Sequence, residues 1–356
     1  MPGVQRGCLL LADISGYTAY LSGVELEHAH DILADLLGTV VGELRGAFEL
    51  AKLEGDAVFC HAPESSADGR DGSSLLNAVD ACYFAFMRRQ RNIAHLTTCA
   101  CNACIRIPDL SLKFVVHHGR YIAHEVAGSR ELIGPEVVTA HRLLKNHVTE
   151  RTGLRGYALL TRACLDTFGL DPDEVGMKAH DESFDDVGEI EGAVLDLEAR
   201  WREEEDRGAV FLTPEEAAVE VTGEVPAPPA LVWELMTSPT RRPQWQLGVE
   251  RVTEQVEGGR RGVGTTNHCF HGGMEADEEI VDWKPYRYYS EVTRSPMGEM
   301  DVTMELTPRD DRTRVSFRMR PRGTPEQVAV FAQAFEAIEQ VMQVSLERAI
   351  ALAGGS

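Results

Sequence analysis

Two aspartates lie where the sequence predicts the ends of strands, and carboxylates in such positions can bind metal ions. Asp13 follows the apolar run at residues 8–12, and a turn containing Gly16 comes next. Asp56 follows Gly55, where two short strand-like runs predict a tight hairpin turn. Two carboxylates on adjacent strands suit a pair of Mg²⁺ or Mn²⁺ ions, because hard cations prefer oxygen ligands. This arrangement indicates phosphoryl chemistry.

A cysteine-rich stretch at residues 95–104 is a second candidate metal site. Cys99, Cys101 and Cys104 offer three thiolates, and His95 offers an imidazole. Together they supply the four ligands of a tetrahedral zinc ion, for which the short spacings favour a structural role. Alternative fourth ligands are Cys60, Cys82 and His117. An iron–sulfur centre, a thiol sensor and a set of unligated reduced thiols are the other interpretations.

The length and the net charge of the chain limit the number of domains and the kinds of partner that we expect. With 356 residues, of which 43% are hydrophobic, the sequence predicts two domains with their own cores. Its 35 basic and 57 acidic residues give a formal charge of -22, which disfavours nucleic acid and anionic membrane surfaces as partners. A small phosphorylated ligand remains compatible, because a metal ion can reverse the field locally. No apolar run reaches the roughly 18 residues of a membrane span, so we expect a cytoplasmic protein.

The elements that must position the aspartates and cysteines lie in residues 1–165. Strand-like runs occupy residues 7–12 and 113–118 and flank Gly55, and helical patterns lie within residues 25–48, 75–91 and 135–146. This order predicts an α+β sandwich in which helices pack on one sheet.

The rest of the chain predicts a connector and a second domain. Residues 166–206 hold sixteen acidic residues against Lys178, Arg200 and Arg202, so we interpret residues 166–217 as an acidic, solvated connector. Residues 218–356 follow the order strand, short helix, run of strands and long helix, the last starting near Pro325. This order also predicts an α+β domain.

Three motifs in the first domain resemble those of the class III adenylate and guanylate cyclases. The first is the run from Asp13 to Thr18, with Tyr17 where the family usually has Phe, and the second is Lys-x-x-Gly-Asp from Lys52 to Asp56. The third is the Gly-Pro-x-Val helix at residues 134–143, preceded by a strand end at residues 117–119. The resemblance covers approximately residues 5–160 and implies a ferredoxin-like nucleotidyl-cyclase sandwich. It also implies that Asp13 and Asp56 bind two Mg²⁺ or Mn²⁺ ions.

The resemblance further implies a reaction, a substrate and an oligomeric state. A nucleoside triphosphate, preferably ATP, is converted to a cyclic nucleotide and pyrophosphate at the interface of a homodimer. Lys52 and Glu131 fall where the family binds adenine, and Arg142 falls where it stabilises the phosphates. Val138 replaces the asparagine of the family, and losing such a donor costs about 10² to 10³ in turnover. The alternative is therefore a catalytically degenerate fold that senses a nucleotide or a hydrophobic ligand.

The second domain resembles the START-like or polyketide-cyclase-like superfamily, which has a helix-grip fold. In that fold the last helix lies across the sheet and can leave an apolar cavity, so the resemblance implies a small hydrophobic ligand. We expect binding of this ligand to regulate the first domain by changing the geometry of the dimer. The ordinary alternative for each apolar residue is core packing, and the sequence assigns no catalytic residue here. The candidate lining residues are Trp245, Phe270, Met304, Phe331, Phe335 and Met342.

Overall fold

The chain folds into two compact units, Met1–Arg207 (unit 1) and Gly208–Ser356 (unit 2). The computed structural model describes residues 3–64, 71–96, 99, 101–126, 129–256, 258–332 and 334–354. Among these residues, no helix combines the length and the apolar sequence that crossing a lipid bilayer requires.

Unit 1 is built on one large, mostly antiparallel sheet. Its strand order is β2-β3-β1-β4-β6-β10-β7, β5 pairs with β4, and β8 and β9 form a separate hairpin; the β4–β6 pair is parallel. The strands are β1 (Gln5–Ser15), β2 (Glu49–Glu54), β3 (Ala57–Pro63), β4 (Ser111–Val126), β5 (Ser129–Ile133), β6 (Tyr157–Thr161), β7 (Lys178–Ala179), β8 (Glu182–Phe184), β9 (Gly188–Ile190) and β10 (Gly192–Asp196). The helices are α1 (Tyr17–Leu21), α2 (Leu26–Leu44), α3 (Gly72–Leu96), α4 (Asn102–Ile105), α5 (Pro135–Leu143), α6 (Val148–Thr152), α7 (Arg162–Phe168) and α8 (Leu197–Asp206).

Strand β1 is apolar on both faces because helices cover both. Successive residues of a strand point to opposite sides of the sheet, so Leu10 packs in one core and Leu9 in another. The core around Leu10 includes Leu36 of α2, and the core around Leu9 includes Val137 of α5. The predicted α+β class is confirmed, with helices on both sides of the sheet.

Residues 166–207, which the sequence suggested as a connector, are folded into unit 1. β10 pairs with β6 within the main sheet. On α8, Trp201 is 7% exposed and its ring packs against Phe84 of α3. The guanidinium of Arg200 bonds the buried carboxylate of Asp80 at 2.6 and 2.9 Å. The sequence predicted a connector here because charged residues outnumber the apolar residues that pack in the core.

Unit 2 has the helix-grip arrangement that the sequence predicts. Its antiparallel sheet runs in the order β11-β17-β16-β15-β14-β13-β12. The strands are β11 (Val219–Val225), β12 (Val249–Gln255), β13 (Thr266–His271), β14 (Met274–Lys284), β15 (Tyr288–Ser295), β16 (Gly298–Arg309) and β17 (Arg312–Arg322). The helices are α9 (Pro229–Thr237), α10 (Arg242–Trp245), α11 (Pro325–Ala332) and α12 (Phe335–Gly354). Sequence reasoning missed β12, and the single long final helix that it predicted is divided into α11 and α12.

The last helix approaches β11 very closely. A Cβ atom on Gly223 would lie 2.8 Å from Cδ2 of Leu346, so a larger residue at this position would displace the leucine side chain. At the same helix, Oγ of Ser345 accepts a hydrogen bond from the backbone N–H of Leu247 at 2.9 Å. These two contacts hold α12 against β11 and against the connection between α10 and β12.

Candidate functional site

The residues Asp13 and Asp56 are neighbours in unit 1. β1 pairs antiparallel with β3, and Asp13 stands opposite Ala57, the residue that follows Asp56. The backbone N–H of Ile14 donates to the carbonyl oxygen of Asp56 at 3.3 Å, which holds the hairpin turn beside the end of β1. Gly55 has a φ of 67°, so this turn uses a left-handed conformation that glycine adopts without strain. The structure thus brings together the two predicted metal ligands.

Lys113 lies against this pair of aspartates. Its Nζ is 3.1 Å from Oδ2 of Asp13, and the two side chains are 19% and 16% exposed. Burial and the neighbouring Asp13 carboxylate raise the pKa of Asp56 to about 6. This crowding of carboxylates fits a donor set for divalent cations. Sequence reasoning missed Lys113, because its position depends on the register of β1 with β4, in which Asp13 and Lys113 are partners.

Lys52 belongs to a separate polar cluster with Glu54, Glu131 and His141. Its Nζ lies 2.9 Å from Oε1 of Glu54 and 3.0 Å from Oε2 of Glu131. Nε2 of His141 lies 2.9 Å from the other oxygen of Glu54. Hydrogen bonds, first to Glu54 and then to Glu131, raise the pKa of Lys52. The structure therefore places the two predicted base-binding residues in contact, and adds two partners that no motif indicated.

Val138 and Arg142 lie on α5. Val138 is 52% exposed, so this position faces solvent. Arg142 forms an ion pair with Asp186, and their side chains are 44% and 46% exposed. Within the described residues, the ion-pair partner of Arg142 is thus Asp186 and not a predicted metal ligand.

The three cysteines of the cluster converge on a histidine that the sequence did not indicate. Nδ1 of His28 lies 3.2 Å from Sγ of Cys101 and 3.5 Å from Sγ of Cys99, and Cys104 completes the group. The predicted fourth ligand, His95, is exposed at the end of α3 and is not in this group. His28 is 71 residues from Cys99 in the chain, so no local spacing could reveal it.

The alternative fourth ligands are also placed elsewhere. Cys60 and Cys82 belong to the hydrophobic core of unit 1. Nδ1 of His117 lies 2.9 Å from the hydroxyl of Thr161, and its Nε2 lies 2.8 Å from Glu136. Within the cysteine group, the pKa of Cys101 is lowered to about 7. The main cause is a hydrogen bond from the backbone of Cys104, and the second is a hydrogen bond with His28.

Unit 2 contains a cavity of about 380 Å³ between α12 and the sheet. This is a size typical of small-molecule sites. Of the predicted lining residues, Trp245 and Met342 contribute to its wall, whereas Phe270, Met304 and Phe335 do not; the side chain of Phe331 lies outside the described residues. Other apolar lining residues are Val302, Phe317, Met319 and Ile338.

Charged groups also reach the cavity wall. Arg242 forms a two-pronged ion pair with Glu278, with NH2 at 2.8 Å from Oε1, and both side chains are buried. Glu291 lines the cavity, is 6% exposed, and its Oε2 has no hydrogen-bond partner in the described part of the chain. Burial of the side chain is the main cause that raises the pKa of Glu291 to about 8, and the negative charge of the nearby Glu278 is the second cause. This raised pKa favours the protonated, neutral form of Glu291 at pH 7.

Family models match both units, each over part of its length. Residues 33–152 match the model described as "Protein of unknown function (DUF2652)". Residues 216–354 match the model described as "Polyketide cyclase / dehydrase and lipid transport". An uncharacterized protein of Mycobacterium tuberculosis is 35% identical over 116 residues, which are 33% of this chain and 52% of that protein. The chain thus spans about half the length of this curated relative.

Two solved structures are similar to parts of the chain. The adenylyl cyclase CyaB from P. aeruginosa is 18% identical with a TM-score of 0.41, covering 55% of this chain and 96% of its own. A protein from Mesorhizobium loti is 19% identical with a TM-score of 0.29, covering 36% of this chain and 96% of its own. The chain therefore consists of two units that match two different families. In unit 1, residues 33–152 match a family of unknown function, and in unit 2, residues 216–354 match the polyketide cyclase / dehydrase and lipid transport family.

Proposed function

We propose that unit 1 binds a nucleoside triphosphate together with Mg²⁺ or Mn²⁺ and converts it to a cyclic nucleotide and pyrophosphate. The observation that carries this proposal is the placement of Asp13 beside Asp56 at the end of β1. Their carboxylates are the residues that would hold the ions, because hard divalent cations take oxygen ligands. Such ions, when bound, polarise the α-phosphate and acidify the ribose 3′-hydroxyl.

The Lys52 cluster supplies the contacts for the base. A lysine ammonium donates hydrogen bonds and a carboxylate accepts them, and here Lys52 and Glu131 lie side by side. Adenine offers the complement, with an acceptor at N1 and donors at N6. This pairing supports ATP as the substrate.

We place the reaction between two copies of the chain. Asp13 and Asp56 of one copy face Lys52, Glu131 and Arg142 of the other, as in the family that unit 1 resembles. Arg142 can leave Asp186, because an ion pair of two half-exposed side chains contributes little. The ribose 3′-hydroxyl gives up its proton to solvent water, and its oxygen bonds to the α-phosphorus. The bond between the α-phosphorus and the oxygen that bridges it to the β-phosphorus breaks, and pyrophosphate leaves with that electron pair.

Product formation tests this proposal. We expect wild-type protein with Mn²⁺ to form a cyclic nucleotide from one of ATP, GTP, CTP or UTP, and Asp13→Asn to abolish it. Asp31→Asn, at an exposed carboxylate on α2, is the matched control and should leave the rate unchanged. Val138→Asn should raise the rate at least about tenfold, because it restores a donor of the kind worth about 10² to 10³ in turnover.

The outcomes separate the enzyme from the alternative. If no variant forms product but Asp13→Asn abolishes binding of a metal–nucleotide complex, unit 1 is a nucleotide sensor. If nucleotide binding is absent, or is the same in Asp13→Asn, the proposal for unit 1 is wrong.

A second candidate function is favoured by the cavity of unit 2. Its wall is mainly apolar, and the neutral acid Glu291 presents an unpartnered oxygen to it. These features select a small hydrophobic molecule that carries one polar group able to hydrogen-bond with a carboxylic acid. We propose such a molecule as the ligand of unit 2.

Filling the cavity from α12 should block this binding. Ala337 lines the cavity and is exposed at its helix surface, so Ala337→Trp adds bulk where the fold can tolerate it. With the neutral dye Nile red as probe, we expect fluorescence titration to show at least tenfold weaker binding than in wild type. Ala351→Trp, on the same helix and outside the cavity wall, should bind like wild type. Equal binding by both variants would show that the dye does not enter this cavity.

A further inference from the structure

The thiols of Cys99, Cys101 and Cys104 and the imidazole of His28 form a group that the proposed nucleotide site does not use. Their ligand atoms all lie within 4.8 Å of one another. The two shortest separations, 3.2 and 3.5 Å, join Nδ1 of His28 to Sγ of Cys101 and of Cys99. Four soft or borderline ligands thus converge from two distant parts of unit 1.

These separations are close to those that a tetrahedral zinc ion requires. With Zn–S bonds of about 2.3 Å and Zn–N bonds of about 2.0 Å, ligand atoms at the corners of a tetrahedron lie roughly 3.5 to 3.8 Å apart. The group therefore needs only small side-chain adjustments to enclose an ion. A set of three thiolates and one imidazole with no open position is typical of structural zinc sites.

Hydrogen bonds around the group already join the same two segments. Oε2 of Glu25 accepts from the backbone N–H of Ala103 at 3.1 Å, and its Oε1 accepts from Nδ2 of Asn102 at 3.4 Å. The buried hydroxyl of Tyr20 donates to the carbonyl oxygen of Ala103 at 2.9 Å. These bonds flank His28 on one side and Cys104 on the other, so the backbone around the ligands is held in place.

We propose that His28, Cys99, Cys101 and Cys104 bind one structural Zn²⁺ ion. The ion fastens the first turn of α2 to Cys99, Cys101 and α4. This connection restrains residues 16–28, which begin three residues after Asp13 in the chain. The metal site thus stabilises the loop and the short helix α1 that lead away from the candidate nucleotide site, and it takes no part in phosphoryl transfer.

Zinc content of the full chain tests the site. We expect wild-type protein purified under reducing conditions to hold one zinc ion per chain by elemental mass spectrometry. His28→Ala should weaken zinc binding by more than the 10- to 100-fold typical for loss of a residue that only orients a ligand. His95→Ala is the matched control and should keep the wild-type affinity. His28→Cys should restore binding, because a fourth thiolate also completes a tetrahedral site.

Two further measurements make the result independent of folding and of the nucleotide proposal. Cobalt bound in place of zinc should show thiolate charge-transfer bands and the intense visible bands of tetrahedral coordination in wild type and in His95→Ala. Hydrogen exchange in residues 16–28 should become faster in His28→Ala and stay unchanged in His95→Ala. A wild-type protein without zinc affinity, a disulfide among the cysteines of reduced protein, or equal losses in the two histidine variants would overturn the proposal.

Discussion

Replacing Arg242 by alanine is expected to destabilise unit 2 by about 3–5 kcal/mol, the range for breaking a buried ion pair. Arg242 and Glu278 are each 5% exposed, and two hydrogen bonds join them. Although burial opposes ionisation of Glu278, the Arg242 guanidinium holds its pKa below the usual value. Without that guanidinium, a buried carboxylate is left beside Glu291, and Glu278 must take up a proton or remain ionised at high cost.

Urea unfolding of the full chain, followed by tryptophan fluorescence, measures this loss, because Trp233, Trp245 and Trp283 all belong to unit 2. The matched control is Arg294→Ala. Arg294 pairs with Glu279 at 2.8 Å, but the two side chains are 45% and 43% exposed, so its loss should cost at most about 1 kcal/mol. A double replacement of the buried pair by methionines should recover most of the stability. Equal effects of the two arginine variants would mean that water reaches the Arg242 pair.

The second large effect concerns the pH dependence that Glu291 imposes on unit 2. Its pKa is raised from the ordinary value of 4.5 to about 8, so the folded state keeps a proton that the unfolded state releases. The contribution of Glu291 to the free energy of unfolding therefore falls as pH rises from about 4.5 to 8, by at most about 1.4 kcal/mol per pH unit. Glu291→Gln removes this titration, so the variant should gain stability relative to wild type across that window.

The groups that face Glu291 do not reverse this expectation. Arg242 keeps its charge throughout, and Arg242 also keeps Glu278 ionised. Burial lowers the pKa of His271 and raises that of Tyr289, and both residues are present in both proteins, so their effects largely cancel in the comparison. Melting temperatures between pH 5 and 9 measure the difference. Glu299→Gln, at a side chain that is 49% exposed, serves as control; wild-type and Glu291→Gln curves that run parallel would contradict the raised pKa.

The candidate sites show which side chains a sequence can identify. Asp13 and Asp56 were identified because each lies beside a strand-like run and a glycine-containing turn, and the antiparallel pairing of β1 with β3 then brings them together. Lys52 was found through its motif, and Glu131 through its distance from Gly134. The fourth zinc ligand was not found, because His28 and Cys99 meet only when α2 packs beside α4. The charged wall of the cavity was missed for the same reason, since Arg242, Glu278 and Glu291 come from three different elements.

The sequence by itself determined the α+β class of both units, most strands and helices, and the pair of aspartates, because hydrophobic periodicity and turn residues are local signals. The tertiary structure decided that residues 166–207 complete unit 1. Burial of side chains such as Trp201 stabilises this segment in the fold, and its sixteen acidic residues remain exposed or paired. It also decided that Lys113 stands beside Asp13 and that His28 completes the cysteine group. These contacts follow from strand register and helix packing, which depend on residues far apart in the chain.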